Sequence, residues 1–382
     1  MFKHFEIHQF PLWDRLREKR IPLSFDLELT ARCNYNCRHC YINLPADDVE
    51  AKDRELTLEE IRQIARKAVQ MGAVWCLITG GEPLLRKDFP DIYLLLKRLG
   101  LLVSVFTNAS LVTSEHARLF KKYPPRDIEV TVYGASKETF EQVTRRSHSF
   151  DAFLRGLQLL LNSGIRVRLK NMVIRSNRHE FDEISSFCLK HTKDYYRSDP
   201  FLCLRNDRDP ARNAEIRAER LTPLEIIAIG RAGQPAAGPL PFPEQRDAPD
   251  NALFRCGAGQ DSFTVGYDGR LRLCSALCRP DCVYDLRRGD LSDAWRDFVP
   301  TVRDRCSPST EYRQTCGSCE LARINLCRWC PANSYLETGE MDRPVDYFCR
   351  IAHAEAASLG IRHSRSDPHQ PQKKLFQWSA RR

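Results

Sequence analysis

The sequence predicts an α/β protein. Six β–α units build a parallel sheet rolled into a barrel or part-barrel, and a small second domain of different composition follows. Three observations carry this. Short β-rich runs alternate strictly with amphipathic helical runs from residue 24 to about 205. A charged, then Pro/Ala/Gly-rich stretch interrupts the pattern at 206–254. Ten of the sixteen cysteines then crowd between Cys256 and Cys349.

The expected strands are 24–30, 74–80, 102–108, 127–133, 166–173 and 201–205. The expected helices are 56–71, 89–99, 114–123, 136–145, 150–162 and 179–192. In the first helix Leu58, Ile61, Ile64, Ala65 and Val69 follow a 3.6-residue period. Ser136 and Ser149 are expected N-caps, and Gly72, Gly100 and Gly164 stand where helices end. Strict alternation implies right-handed crossovers, with the chemistry at the C-terminal strand ends. The domain plan is an N-terminal extension (1–23), the barrel (24–205), a linker with a helix near 223–231 (206–254), the Cys-rich domain (255–360) and a basic tail (361–382).

Composition excludes several classes. At 382 residues the chain can bury a large core without covalent staples. The longest apolar stretch, Ala152 to Leu161, is broken by Arg155 and Gln158 and is far short of a membrane span. The N-terminus scatters charge and has no apolar signal region, so the expected location is cytoplasmic, with no membrane partner. Six basic residues against one acidic residue from Arg362 onward supply about five of the nine net positive charges, as a solvated tail would. In a reducing compartment dense cysteines read as metal or redox ligands. Cys76, Cys188 and Cys203 stand alone in apolar runs and read as small buried side chains.

Cys33, Cys37 and Cys40 follow the first strand with C-x3-C-x2-C spacing. Three thiolates on one loop can hold three irons of a [4Fe–4S] cube and leave the fourth open. A structural zinc site would call for a fourth ligand, such as His39. The spacing resembles the radical S-adenosylmethionine (radical SAM) superfamily, whose core is a (βα)6 part-barrel, and further motifs extend the resemblance. Gly80, Gly81, Glu82 and Pro83 close the second strand like the family's GGEP motif, which contacts the methionine amino group. Glycines permit close backbone approach, and a carboxylate suits an ammonium. Thr107-Asn108-Ala109 is similar to the family's TNG, with Ala109 in place of glycine. Thr131 stands on the fourth strand, and Tyr41 matches an aromatic position beside the adenine. The resemblance implies that S-adenosylmethionine binds the open iron, with Glu82, Thr131 and either Lys170 or Arg145 holding its charged ends. One electron then yields a 5′-deoxyadenosyl radical that takes hydrogen from a substrate.

In the second region Asp268-Gly269 signals a hairpin that brings Cys256 and Cys274 together. Paired CxxC motifs also suit a zinc ribbon. The order Cys256, Gly269, Cys274, Cys316, Cys319, Cys327, Cys330, Cys349 is similar to the SPASM extension of radical SAM enzymes, although x7 and x2 stand where that pattern has x5 and x3. The run from Gly289 to Trp295 looks like the step between its halves. The resemblance implies two auxiliary iron–sulfur clusters, one on Cys316, Cys319, Cys327 and Cys349, the other on Cys256, Cys274 and Cys330. The fourth ligand of the latter is Cys278, Cys282, Cys306 or none. Ser275 replaces the Asp of the sulfatase-maturing branch, which points away from that branch.

SPASM enzymes often modify ribosomally made peptides, which makes a peptide the expected substrate and flavodoxin or ferredoxin the expected reductant. Only 23 residues precede the first strand, too few for a leader-binding domain, so leader recognition would fall to a separate protein or to the barrel surface. The alternatives are dehydrogenation of a small molecule or cofactor precursor and, in another class, a non-catalytic iron–sulfur or zinc scaffold.

Overall fold

The structure, a computed structural model, describes residues 12–192, 196–232 and 249–363. Most of the basic tail, the Pro/Ala/Gly-rich part of the linker and the first eleven residues, with the expectations placed on them, lie outside the described residues.

Strands β1 (Ser24–Glu28), β2 (Trp75–Thr79), β3 (Leu102–Thr107), β4 (Asp127–Val132), β5 (Val167–Met172) and β6 (Tyr196–Asp199) pair in parallel in that order. Helices α1 (Leu58–Met71), α2 (Phe89–Arg98), α3 (Ser114–Lys122), α4 (Lys137–Thr144), α5 (Ser149–Asn162) and α6 (Phe181–His191) fill the connections. Strand side chains alternate between two environments. Phe25, Leu27, Cys76, Ile78, Val103, Val105, Ile128, Val130 and Leu169 are buried in one core with Ile61, Ala65, Phe89, Ile92, Leu96, Phe120, Phe153 and Leu157 of the helices. The opposite face carries Asp26, Glu28, Asp127, Glu129, Thr131, Arg168, Lys170 and Arg197, a lining far more polar than a packed barrel interior.

Local signals set the boundaries. Thr57 and Glu60 form a capping box on α1, and Gly72, Gly100 and Gly164 take the left-handed conformation that ends α1, α2 and α5. Ser136 caps α4 as expected. Ser149 does not cap α5. His148 holds that position, and the Ser149 hydroxyl bonds Thr144 Oγ1 at 2.7 Å instead.

The sixth strand is also displaced from 201–205 to Tyr196–Asp199. Pro200 lacks an N–H to continue the ladder, and residues 201–205 run on outside any strand. The segment after it is more ordered than a linker, because α7 (Pro210–Glu219), capped by Asp209, precedes the expected helix α8 (Pro223–Ala232).

The hairpin forms as expected from β7 (Ser262–Val265) and β8 (Arg270–Arg272), with Gly269 at positive φ. Its placement was not legible in the sequence. β7 pairs in parallel with β1, so the sheet runs β9-β8-β7-β1-β2-β3-β4-β5-β6, where β9 is Tyr284–Asp285. The Cys-rich region is thus built onto the barrel edge. Across that seam Arg272 on β8 pairs with Glu28 on β1, and both are buried. Removing one partner of such a pair leaves a charge with no water to replace it.

Two predictions follow from this packing. Arg272→Met should destabilise the chain by about 3–5 kcal/mol, read from denaturant unfolding, whereas an unchanged midpoint would mean that water already solvates the pair. At Gly156 on α5, a methyl group would stand 1.8 Å from the Ala109 carbonyl oxygen. Gly156→Ala should cost about 2 kcal/mol, and a wild-type midpoint would show that the loop yields freely.

Candidate active site

Apart from Arg145, which ends α4, the expected barrel residues lie toward or just beyond the C-terminal ends of β1 to β5. From β1 the chain enters the loop carrying Cys33, Cys37 and Cys40, and backbone bonds fix that loop from several sides. Asn36 N donates to Thr144 O at 2.9 Å and Arg38 N to Val143 O at 3.1 Å, seating the loop on the end of α4. Arg212 on α7 donates to Cys37 O at 3.1 Å. Arg205 donates to the Asn43 carbonyl and side-chain oxygens at 3.2 and 3.1 Å.

The three thiols share one neighbourhood. Cys37 is buried, Cys33 and Cys40 half-buried. Burial first, and then the charges of Cys37, Glu82 and Cys40, drive the Cys33 thiol well above its usual range. Cys37 is raised by burial and by Cys40. Backbone N–H groups of Tyr35 and Asn43 point at the sulfurs of Cys33 and Cys40, each at 3.4 Å. Three mutually repelling thiolates become stable when a multivalent cationic group sits among them. Among the described residues no group of three or more His, Cys, Asp or Glu side chains is placed to hold a single metal ion. His39 is the remaining candidate ligand on this loop. Its ring lies 5.5 Å from that of Tyr133, and the charges it feels come from Lys170, Asp199 and Arg212.

Gly80 and Gly81 stand where the structure leaves no room for a side chain. A Cβ on Gly80 would stand 2.3 Å from Thr30 O, and one on Gly81 2.2 Å from Arg32 O. The close approach is to the cluster loop's own backbone. Gly81 N and Glu82 N donate to Thr30 O and Arg32 O at 2.6 and 2.9 Å. Pro83 then opens a single 3-10 turn that Glu82 caps.

Glu82 is fully buried. Its carboxylate accepts from Leu84 N (3.1 Å), Thr107 Oγ1 (2.8 Å) and Asn108 N (2.8 Å). Burial outweighs these bonds and pushes the carboxyl up to about 7. The Asn108 amide in turn donates to Asn34 Oδ1 at 3.0 Å and points toward Cys33 Sγ at 3.9 Å. Ala109 adopts φ 64°, the left-handed conformation that a glycine would favour.

Thr131 and Lys170 are cross-strand partners, and Lys170 Nζ lies 3.5 Å from Asp199. Arg145 is drawn away to Glu215 on α7 at 3.0 Å. Tyr41 is half-buried, within electrostatic reach of Glu28, Cys40, Arg272 and Cys203, and lines a cavity of about 350 Å³ with Glu28, Arg54, Arg205, Arg270 and Arg272. Sequence reasoning passed over Tyr133 as a site residue. Its phenol lies within hydrogen-bonding reach of the Cys37 sulfur. The signal available was alternation, since 129, 131 and 133 share a strand face.

In the Cys-rich region two groups of thiols lie within electrostatic reach of one another. Cys327 feels Cys319, Cys316 and Cys349, while Cys330 feels Cys274 and Cys256. Cys330 also heads α9 (Pro331–Thr338), where Asn333 N donates to its sulfur at 3.4 Å. Cys76 and Cys188 are buried, whereas Cys203 is only half-buried.

A parallel part-barrel with a three-thiol loop after β1 is joined to a second thiol-rich region, donors of the kind that hold iron–sulfur clusters. Residues 27–188 match the radical SAM superfamily, a family that uses a [4Fe–4S] cluster and S-adenosylmethionine. It is 31% identical over 156 residues to an Fe-coproporphyrin III synthase of Methanosarcina barkeri, a match spanning 41% of this chain but only 38% of that protein. It is 23% identical over 339 residues to the antilisterial bacteriocin subtilosin biosynthesis protein AlbA of Bacillus subtilis, covering 81% of this chain and 71% of that one. The fold resembles Streptococcus suis SuiB bound to S-adenosylmethionine, with TM-score 0.64 and 15% identity over 86% of this chain and 78% of that one. SuiB has also been solved with its precursor peptide SuiA. Among the described residues no helix is long and apolar enough to cross a membrane.

A carboxyl whose native pKa lies above its unfolded value contributes stability while protonated and loses that contribution as pH rises through the native value. The wild-type chain without its clusters should therefore lose thermal stability between pH 5 and 8 more steeply than Glu82→Gln. Equal slopes in anaerobic calorimetry would assign the titration elsewhere.

Proposed function

We propose that this enzyme uses S-adenosylmethionine to start radical chemistry on a ribosomally made peptide. The observation that carries the radical reading is the meeting, at one end of the sheet, of three thiols on one loop with a buried carboxylate and polar strand residues. When bound, the cluster and S-adenosylmethionine supply a 5′-deoxyadenosyl radical by one-electron cleavage of the sulfonium.

The chain's own residues bind and orient. Cys33, Cys37 and Cys40 would hold three corners of the cluster. Glu82 would receive the ligand's ammonium, a contact that favours its ionised form. Thr131 and Lys170 offer a hydroxyl and a cation to the carboxylate or ribose, and Tyr41 an aromatic wall for the adenine. Arg145, engaged by Glu215, would act by positioning α7 against the loop. Cys316, Cys319, Cys327 and Cys349 would hold one auxiliary cluster, and Cys256, Cys274 and Cys330 would bind the other. Electrons would come from a flavodoxin or ferredoxin, and a separate leader-binding protein would present the peptide.

The peptide reading draws on the similarity to AlbA along most of the chain. A second reading, a small polar substrate, is favoured by the charged lining of the 350 Å³ cavity.

Anaerobically reconstituted protein should release 5′-deoxyadenosine from S-adenosylmethionine and dithionite. Its absence from cluster-loaded protein would sink the radical reading. Cys37→Ala should abolish this product, while Cys316→Ala should lower iron content and leave uncoupled cleavage intact. Full iron in Cys316→Ala would remove the auxiliary assignment. A short precursor-peptide gene beside this one would favour the peptide, and mass change in that peptide on co-expression would establish it.

A further inference from the structure

After Pro200 the chain leaves the sheet and runs between the barrel and the Cys-rich region. Leu202 and Leu204 bury in a small cluster with Leu336 of α9, and Ala276, two residues beyond Cys274, packs against the same cluster. Asn206 Nδ2 donates to Ser275 O at 3.1 Å, and the Cys278 thiol donates to Asn206 O at 3.0 Å. Arg220 links the Leu202 carbonyl, at 2.9 Å, to Glu337. These contacts fix residue 203 against two segments at once, the one following Cys274 and the helix headed by Cys330.

The charges acting most strongly on Cys203 are those of Asp199, Arg220, Glu337 and Lys170. Cys330 lies in the field of three other sulfurs, those of Cys274, Cys203 and Cys256. The remaining cysteines of the region face elsewhere. Cys278 is spent on Asn206 and is surrounded by Arg272, Arg208 and Asp207. Cys282 is buried against Asp281, Met341 and Arg305. Cys306 is exposed on a bridge to Ala252.

We propose that Cys203, on the segment leaving the barrel, is the fourth ligand of the auxiliary cluster held by Cys256, Cys274 and Cys330. The donor set is then four thiols, three from the Cys-rich region and one from the barrel. No corner of that cluster is left for a substrate. The proposal rests on the reading of these cysteines as an auxiliary-cluster site.

The experiment compares iron, sulfide and Mössbauer spectra of the full chain, reconstituted anaerobically, with those of Cys203→Ala, Cys278→Ala and Cys306→Ala. Cys274→Ala and Cys330→Ala serve as reference variants. Cys203→Ala should match the reference variants, losing about a third of the iron or, on brief oxidation, gaining a three-iron signal absent from wild type. The Cys278 and Cys306 variants should keep wild-type spectra. A wild-type spectrum in Cys203→Ala, with loss in the reference variants, overturns the Cys203 assignment alone. Full iron in the reference variants overturns the auxiliary reading beneath it. Should Cys203→Ala fail to fold, alkylation of the wild-type chain decides. Loading with iron and sulfide should slow modification of Cys203 by about tenfold or more and leave Cys278 unchanged, and equal rates at Cys203 before and after loading overturn the proposal.

Discussion

The upper end of the sheet depends on one buried carboxylate. Glu82 has no water, so its oxygens must find donors in the protein or lose their charge. They find three, two of them from the end of β3. The turn after β2 is thereby tied to Asn108, and the Asn108 side chain reaches into the cysteine loop at Asn34 and Cys33. The same turn is locked to β1 through Thr30 and Arg32. Three strand ends and the loop form one hydrogen-bonded network, and a displacement of the loop would strand a buried polar group somewhere in it. The loop that carries the three sulfurs gains a fixed shape from that constraint.

A second constraint joins the two halves of the chain. Because β7 adds to β1 in parallel register, the hairpin between Cys256 and Cys274 is part of the barrel's own sheet. The seam is marked by Glu28 and Arg272, a pair in which one oxygen and one nitrogen, Glu28 Oε1 and Arg272 Nε, have no hydrogen-bond partner. A buried pair of this kind is weak as a stabiliser and strong as a determinant of register. Here it also sets the polarity of the adjoining cavity, which Arg54, Arg205 and Arg270 enlarge.

Much of this was legible in the sequence because periodicity reports burial directly. The first five strands, the helices between them and the hairpin at Asp268-Gly269 carry local signals that tertiary contacts do not overrule. The misplacements have local causes that a pattern does not weigh. FLCLR has the alternation of a strand, but Pro200 denies it a ladder partner, and its leucines bury against α9 instead. Helix α7 was hidden by its charge, because PARNAEIRAE buries only Asn213, Ile216 and Glu219. Gly80 and Gly81 signal a close approach, and what approaches is a carbonyl of the neighbouring loop. No one-dimensional signal distinguishes Cys203 from Cys76 or Cys188. All three sit in apolar runs, and only the path of the chain past Pro200 turns Cys203 toward other sulfurs.

That path bears on how a substrate is recognised. An iron with an open corner can seize a substrate thiol or amine by direct coordination, a strong contact that needs little from the surrounding protein. If Cys203 fills the corner, that contact disappears, and selection falls to side chains lining the cavity at the seam. Those side chains are charged, so an apolar group entering there would displace their water and leave the cavity-facing atoms without partners. A polar or charged group would supply the missing hydrogen bonds. The same cysteine that closes the cluster therefore shifts the burden of specificity onto Glu28 and Arg272, the two residues that also mark the seam of the sheet.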